Sequence, residues 1–133
     1  MRRYLLDSNA LNQYSAKRRV YTTAMQIRRS GARLGTAIPV AAEYLGGILY
    51  SSSWQTNLPT AERIFRKLHL WPFELDAARI YARLYAELRQ NGIRMQPIDL
   101  MIASIALTVP NCTVVTCDSD FSRVPGLKIE NWE

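Results

Sequence analysis

The stretch YLLDSN, residues 4–9, joins a short apolar run to three residues that favour turns and helix caps. We interpret Tyr4–Leu6 as a buried strand that stops at Asp7 and leads into a helix. A β-branched run, Thr113–Thr116, predicts a second buried strand, and two aspartates follow it. Strands of this kind between helical segments predict an α/β fold with a mostly parallel central sheet flanked by helices.

Four further helices are predicted from apolar residues at helical spacing and from Pro and Gly stop signals. Two short runs predict a second strand in the amino-terminal half and a last edge strand near the end of the chain. The helices are expected at residues 41–50, 58–68, 76–91 and 100–107, and these two strands at residues 36–38 and 127–129.

Composition limits the possible classes of protein. A chain of 133 residues, 48% of them hydrophobic, fits a single domain over residues 1–133 with one core. No apolar run reaches the roughly 18 to 20 residues of a membrane helix, and no signal peptide is evident, so we expect a cytoplasmic protein without a membrane partner. Cys112 and Cys117 match no zinc or redox spacing, and both are predicted to be core residues.

Four acidic residues stand where these apolar segments start or stop: Asp7, Glu43, Asp99 and Asp118. Because ligands of open α/β sheets bind at the carboxyl ends of the strands, we expect these side chains to converge there. Two unit charges about 4 Å apart repel by roughly 4 kcal/mol at an effective dielectric of 20, so such a cluster needs a cation. Oxygen ligands without clustered Cys or His favour Mg²⁺ or Mn²⁺ over zinc.

Each acid also has a simpler interpretation. Asp7 and Asp99 both precede or open helices, where Asp is a favoured N-cap residue. Asp118 and its neighbour Asp120 are equally compatible with side-chain turns after a strand. Glu43 is harder to explain in this way, because its helix is apolar and an unpaired carboxylate there would be unfavourable.

The positive charge of the chain is concentrated near its amino terminus. The chain has a formal net charge of +6, and its first 40 residues hold eight Lys and Arg residues against a single Asp. Arginine predominates among them, and its planar guanidinium suits phosphate. We therefore predict an RNA-binding patch that includes Lys17, Arg18 and Arg19, although the same run is also compatible with an ordinary solvated surface.

The motifs around the four acids, in their order and spacing, resemble those of PIN-domain nucleases, and specifically the VapC toxins of type II toxin-antitoxin pairs. The resemblance covers essentially the whole chain. It is carried by YLLDSN at residues 4–9, AEYLGG at 42–47, IDLMIA at 98–103 and VVTCDSDF at 114–121.

The resemblance implies a PIN-like three-layer sandwich and a Mg²⁺-dependent endoribonuclease, inhibited by a cognate antitoxin and assembled as a homodimer. It also assigns the site residues. The catalytic and metal-binding quartet would be Asp7, Glu43, Asp99 and Asp118, and Ser8, Asn9 and Thr116 would orient a carboxylate or a metal-bound water. Asp120 departs from the family's spacing and is a substitute or helper for Asp118.

Other chemistries lack their residues. His69 is the only histidine and lies in an apolar context, so it is predicted to be a packed or interfacial residue rather than a catalytic one. No phosphate-binding GxxxxGK loop is present. The remaining alternative is a PIN-like module that binds RNA or a protein without cleaving RNA.

Overall fold

A computed structural model describes residues 1–133 and contains one five-stranded sheet in which every neighbouring pair is parallel. The order of the strands across the sheet is β3-β2-β1-β4-β5. Their bounds are β1 Arg3–Leu6, β2 Arg33–Ala37, β3 His69–Trp71, β4 Cys112–Val115 and β5 Lys128–Glu130.

Six α-helices connect the strands, and a short 3₁₀ helix at Ser119–Arg123 follows β4. Their bounds are α1 Ser8–Ser15, α2 Arg19–Arg29, α3 Ile38–Tyr50, α4 Trp54–Lys67, α5 Leu75–Gln90 and α6 Pro97–Thr108. None of them has both the length and the apolar character of a membrane-spanning segment.

The order of the strands decides where a ligand can bind. The chain proceeds from β1 through β2 to β3 on one side, and then returns to β4 on the other side of β1. Because parallel crossovers are right-handed in nearly all proteins, α1 to α4 cover one face of the sheet and α5 and α6 cover the other. The α/β three-layer sandwich is thereby confirmed, and its topological switch point lies between β1 and β4.

Burial of both faces of the sheet explains why the sequences of the central strands are continuous apolar runs. Parallel sheets are covered on both faces, so that successive side chains of a central strand are all buried. Leu5, Leu6, Val114 and Val115 are each at most 1% exposed, and Phe121 of the 3₁₀ helix is fully buried beside them. The two strands that carry aspartates at their ends are therefore buried in the core of the protein.

Gly35 of β2 allows the edge strand β3 to lie close to it. A Cβ atom at this position would come within 2.2 Å of the His69 carbonyl oxygen and 2.8 Å of the Trp71 side chain. Any larger residue would push β3 away, so a glycine is required in this strand despite its low strand propensity.

Several predicted elements are confirmed, and some predictions are wrong. The strands at β1, β4 and β5 and the helices α3 to α6 are present, within a few residues of the expected bounds. Ile38 belongs to α3 instead of the preceding strand, because Pro39 has no N–H to extend the strand ladder and its φ suits the first turn of a helix. His69–Trp71 form β3, a strand that was not predicted. The helix α2 was not predicted at all.

The prediction that both cysteines are core residues is right for one of them and wrong for the other. Cys112 is buried at the start of β4, as expected, and burial raises the pKa of its thiol to about 12. Cys117 is exposed because it lies beyond the end of β4, in the loop before the 3₁₀ helix. A hydrogen bond with Glu133 is the main cause that raises the pKa of the Cys117 thiol to about 11, so neither thiol is activated as a nucleophile.

Candidate active site

Asp7 lies at the topological switch point, immediately after β1. Its backbone amide donates a hydrogen bond to the Val115 carbonyl at 3.1 Å, which fastens the end of β1 to the end of β4. One carboxylate oxygen, Oδ1, accepts a hydrogen bond from the Ala10 amide at 2.8 Å, so Asp7 is the N-cap of α1. The capping interpretation is therefore right for this residue, and it leaves the second oxygen free of the cap.

Asp7 is only 3% exposed, and this burial opposes the negative charge of its carboxyl group. Burial raises its pKa above the usual 3.8, while the Thr116 hydroxyl and the Ala10 amide act in the opposite direction. The negative charges of Asp118 and Glu133 raise the pKa further. A buried carboxylate with acidic neighbours is typical of functional sites, because structural aspartates normally have compensating partners.

Two buried threonines hold the strand ends on either side of Asp7. The Thr36 hydroxyl at the end of β2 donates to the Leu6 carbonyl at 2.6 Å. The Thr116 hydroxyl accepts a hydrogen bond from the Asp118 amide at 2.9 Å. Sequence reasoning missed Thr36; its only signal was a polar side chain at the end of a short apolar run.

Asp99 lies in the first turn of α6 and is half-buried. It is not a cap, because Gln96 occupies the N-cap position. Its pKa is raised from 3.8 to about 6, first by burial and then by the negative charges of four other residues. In order of effect, these residues are Asp118, Asp7, Glu43 and Asp120.

The charges of all the other sequence-predicted acids therefore act on Asp99, which means that these acids are grouped around it. No cation balances these acids, since the structure contains one ion pair within 4.0 Å and it joins Arg83 to Glu87 on α5. At the same time, no group of three or more His, Cys, Asp or Glu side chains is already arranged to hold a metal ion. The donor set consists of carboxylates alone, and in chemistry and charge it fits a hard divalent cation.

Glu43 approaches this neighbourhood from α3. Its side chain is exposed, and its Oε1 accepts a hydrogen bond from the Ser8 hydroxyl at 2.9 Å. Ser8 is the first residue of α1, so this bond connects α1 to α3 across the crevice. Asn9, the next residue, is exposed on the same first turn of α1.

Asp118 and Asp120 occupy different positions relative to the other acids. Asp118 caps the 3₁₀ helix, and its Oδ1 accepts a hydrogen bond from the Asp120 amide at 2.9 Å, so the turn interpretation is right for Asp118. The charge of Asp118 acts on both Asp7 and Asp99, whereas that of Asp120 acts on Asp99 alone and least of all. Asp118 therefore lies nearer to the centre of the acidic group.

A groove of about 570 Å³ opens beside the acids. Ser8 and Glu43 are part of its lining, which combines hydroxyl and amide side chains such as Asn12, Asn57 and Thr60 with apolar residues such as Val40 and Ile48. The predicted basic residues lie at the turn between α1 and α2 and at the start of α2. Lys17, Arg18 and Arg19 are all exposed there, and Lys17 has a left-handed backbone with φ of 56°.

His69 is not part of the acidic site. It lies exposed on β3, and its ring is 4.8 Å from that of Trp71, centroid to centroid. Burial and the charges of Arg33 and Arg3 lower the pKa of its imidazole below the usual 6.5. The prediction of a non-catalytic histidine is consistent with this position, although the residue is exposed rather than packed in the core.

Comparison with known proteins gives consistent matches over nearly the full length of the chain. The sequence model of the PIN domain matches residues 4–127. The ribonuclease VapC2 of Rickettsia felis is 28% identical to this chain, over 98% of each protein. The tRNA(fMet)-specific endonuclease VapC of Salmonella typhimurium is 25% identical, over 99% of each.

Two solved structures extend the similarity to the fold. The crystal structure of VapBC2 from Rickettsia felis, bound to a DNA fragment from its promoter, contains a chain that superposes with a TM-score of 0.90. The two chains are 27% identical, with 98% of this chain and 99% of that one covered. VapBC-5 of Mycobacterium tuberculosis, a member of the VapBC family of toxin-antitoxin systems, gives a TM-score of 0.61 at 31% identity, with 74% and 80% covered.

Proposed function

This chain belongs to the PIN domain family, and from that premise we propose that it is a VapC-type toxin, an endoribonuclease that hydrolyses phosphodiester bonds of RNA. The observation that carries the proposal is the convergence of Asp7, Glu43, Asp118 and Asp120 around the half-buried Asp99, with no cation paired to any of them within 4.0 Å. A group of acids that repel one another destabilises the fold, so its presence at the switch point requires a functional explanation.

The proposed cofactor is Mg²⁺, with Mn²⁺ as a substitute. Asp7, Asp99, Asp118 and Glu43 are the residues that would hold it, and Asp118 is preferred to Asp120 because its charge acts on both Asp7 and Asp99. When bound, a divalent cation supplies positive charge to the phosphate and lowers the pKa of a water molecule, which makes that water a nucleophile at neutral pH.

The chain's own residues orient these carboxylates. Ser8 positions Glu43 through a 2.9 Å hydrogen bond, and Thr116 fixes the backbone at Asp118 through another of the same length. The cap to Ala10 restricts the rotation of the Asp7 carboxyl group about its side-chain bonds. Such constraints keep reacting groups in place without a loss of entropy at the moment of reaction. Asn9 lies exposed at the same edge, where it can contact the substrate.

RNA is the proposed substrate because the relatives named above are ribonucleases and because the chain carries a net charge of +6. Lys17, Arg18 and Arg19 would contact its phosphates. Transfer RNA, which is named for the Salmonella typhimurium relative, is the first substrate class to test.

A cognate antitoxin and a second copy of the chain are the proposed protein partners. The structural neighbours are chains of VapBC assemblies, one of which is described as a member of a toxin-antitoxin family. The end of α3 and the start of α4 expose apolar side chains, with Tyr50 95%, Leu49 55% and Trp54 40% exposed. This surface is available for a partner.

Substitution of Asp99 by Asn tests the proposed reaction. Asp99→Asn removes one carboxylate of the cluster, and we expect Mg²⁺-dependent cleavage of labelled RNA to fall by about 10²–10³-fold, the usual effect of removing one electrostatic catalytic group. Circular dichroism should show an unchanged fold. Asp76→Asn is the matched control, because Asp76 also lies in the first turn of a helix, α5, away from the other acids.

Two results would contradict the proposal. Cleavage that persists in Asp99→Asn would exclude the acidic cluster as the active site. A wild-type protein that binds RNA but does not cleave any RNA with Mg²⁺ or Mn²⁺ would establish the alternative, a PIN-like binding module without nuclease activity.

A further inference from the structure

A second cleft, of about 240 Å³, lies between α1, α2 and α4, beyond the groove that starts at Ser8 and Glu43. Four cationic side chains line it, and no acidic side chain does. They are Lys17, Arg28, Arg63 and Lys67. Four cations around a volume of this size create a strongly positive local field, which attracts polyanions.

The walls of the cleft are held together, which distinguishes it from a set of scattered surface charges. Arg28 of α2 donates a hydrogen bond from Nη2 to the Lys67 carbonyl at 2.7 Å, and thereby joins α2 to the end of α4. The half-buried Tyr21 ring packs against Tyr14 with 5.3 Å between centroids. Lys17 Nζ lies 6.0 Å from the centroid of the Tyr21 ring. Cations and an aromatic ring therefore share one cleft.

The cleft is continuous with depressions on both sides. Ser15 and Thr60 line both the cleft and the groove that leads from the acids. On the other side, Arg28 and Lys67 also line a third depression of about 340 Å³. That depression adds further basic or imidazole side chains, namely Arg33, Arg66 and His69.

We propose that these three depressions form a binding track for single-stranded RNA, and that the cleft is a subsite for nucleotides that flank the scissile bond. The cations of the cleft bind phosphates, and Tyr21 stacks on a base. Aromatic rings and cations in one groove are the combination by which proteins hold single-stranded nucleic acid. The position of the scissile bond at the acidic end rests on the function proposed above; binding in the cleft does not.

The charges give the track a direction. Its acidic end repels phosphate unless a cation is bound, whereas its basic end attracts phosphate at all times. Between them, the groove has no charged lining residue other than Glu43. RNA is therefore expected to bind through its flanking nucleotides even without a divalent metal, so that binding and cleavage can be measured separately.

Removal of two cations tests the phosphate contacts. Arg63→Ala/Lys67→Ala changes two exposed residues four positions apart on α4. The probe is a fluorescently labelled 12-nucleotide oligouridylate, measured by anisotropy in EDTA between 50 and 200 mM KCl. Each phosphate contact on a single strand contributes about 0.7 to the slope of log affinity against log salt, so the slope should fall by about 1.4 and affinity by roughly tenfold.

Arg79→Ala/Arg83→Ala is the matched control, because it removes two exposed cations with the same spacing from α5. We expect it to leave the slope unchanged. An equal loss of slope in both double variants would mean that only general surface charge matters, and would overturn the subsite. An unchanged slope in the α4 variant would overturn it as well.

Substitutions of Tyr21 test the stacking contact. Stacking of one base on an aromatic ring contributes about 1–3 kcal/mol, so Tyr21→Leu should weaken oligouridylate binding by about fivefold or more without a change of slope. Tyr21→Phe retains the ring and should bind nearly as well as the wild type. Inorganic polyphosphate, which has no bases, should bind both variants equally; a matching loss for polyphosphate in Tyr21→Leu would overturn stacking.

Failure of the subsite and failure of the nuclease function give different results. If the wild type cleaves RNA but the α4 double variant has unchanged salt slope and KM, the subsite is wrong and the nuclease stands. If no RNA is cleaved but the α4 variant alone loses slope, the subsite stands and the nuclease is wrong. Lost binding of a copurified partner protein with unchanged oligouridylate binding would show that the cleft is a protein site, and would also overturn the RNA subsite.

Discussion

The acidic edge of the sheet and the basic cleft between α1, α2 and α4 are neighbouring regions built in opposite ways. The acids at the edge are held by the backbone: Asp7 and Asp118 each cap a helical segment directly after a central strand. The cations of the cleft extend from helix surfaces, and only Arg28 has a hydrogen bond to another element, through Lys67. One region is rigid and electrostatically strained, whereas the other is adaptable and open to solvent.

This difference separates two tasks. A reaction centre needs fixed groups, because displacement by about 1 Å can reduce a rate by about 10²-fold. Binding of a flexible polyanion tolerates mobile side chains, since attraction by several cations does not depend on one geometry. Changes at the edge should therefore alter stability and turnover, and changes in the cleft should alter affinity and its salt dependence.

The largest expected effect on stability concerns Asp99. Its pKa is about 6 in the folded protein against 3.8 normally, so the folded state binds a proton more tightly than the unfolded state between these values. Stability is therefore fully present below about pH 4 and falls as pH rises to about 6. Above pH 6, Asp99→Asn should make the metal-free protein about 2 kcal/mol more stable than the wild type, after an allowance for partial exposure.

Urea unfolding at pH 4.5, 5.5 and 7 measures this difference. The advantage of Asp99→Asn should grow with pH, and Mg²⁺ should raise the stability of the wild type more than that of the variant. Asp76→Asn, which removes an exposed carboxylate in the first turn of α5, is the control for the loss of one negative charge. A variant that is less stable than the wild type at pH 7 would mean that Asp99 has a structural partner and is not destabilised by its acidic neighbours.

The same contrast explains what the sequence could predict. Asp7 and Asp118 are encoded locally, because each follows an apolar strand and precedes a turn, and the parallel fold brings such positions together. The positions of Asp99 and Glu43 are not encoded locally, since the distance of these residues from the other acids depends on how α6 and α3 pack. Sequence reasoning nevertheless placed all four acids at one edge, and the charges that act on Asp99 come from the same residues.

The basic cleft could not be predicted, because its residues are distant in sequence. Arg28, Arg63 and Lys67 belong to two helices, and α2 itself was missed because most of its residues are polar or exposed and only Val20 and Ala24 are buried. The strand β3 was missed for a similar reason. Its three residues follow a helix directly and are defined by backbone pairing with β2, which leaves no pattern in the sequence.

A smaller effect is expected for Ser8, which belongs to the acidic edge by its bond to Glu43. Ser8→Ala removes a hydrogen bond to a charged group on a partly exposed side chain, worth about 1 kcal/mol, so kcat should fall about fivefold. Its KM and salt slope should not change, since Ser8 orients Glu43 and carries no charge. Ser8→Thr keeps the hydroxyl and should restore most of the turnover.

Steady-state cleavage at several KCl concentrations distinguishes these parameters. Ser30→Ala is a suitable control, because Ser30 also makes side-chain hydrogen bonds but lies before β2, at the opposite end of the sheet. If Ser8→Ala instead raises KM and leaves kcat unchanged, Ser8 contributes to substrate binding and the separation between the two regions is not as sharp as proposed.

The smallest expected effect concerns Lys17. Its backbone conformation favours glycine, whereas its side chain contributes a positive charge to the cleft. Its φ of 56° places a non-glycine residue in the left-handed region, which costs about 1 kcal/mol. Lys17→Gly relieves this strain but gains entropy in the unfolded state, so the net stabilisation should be about 0.5 kcal/mol, or about 2 °C in Tm. The same variant should bind oligouridylate two- to threefold more weakly, through the loss of one phosphate contact.

Arg18→Gly is the control. It removes an equal charge from an extended backbone and should lower Tm instead. A fall in Tm for Lys17→Gly would show that the Lys17 side chain stabilises the turn by its contact with Tyr21, and that the left-handed backbone is not retained for RNA binding.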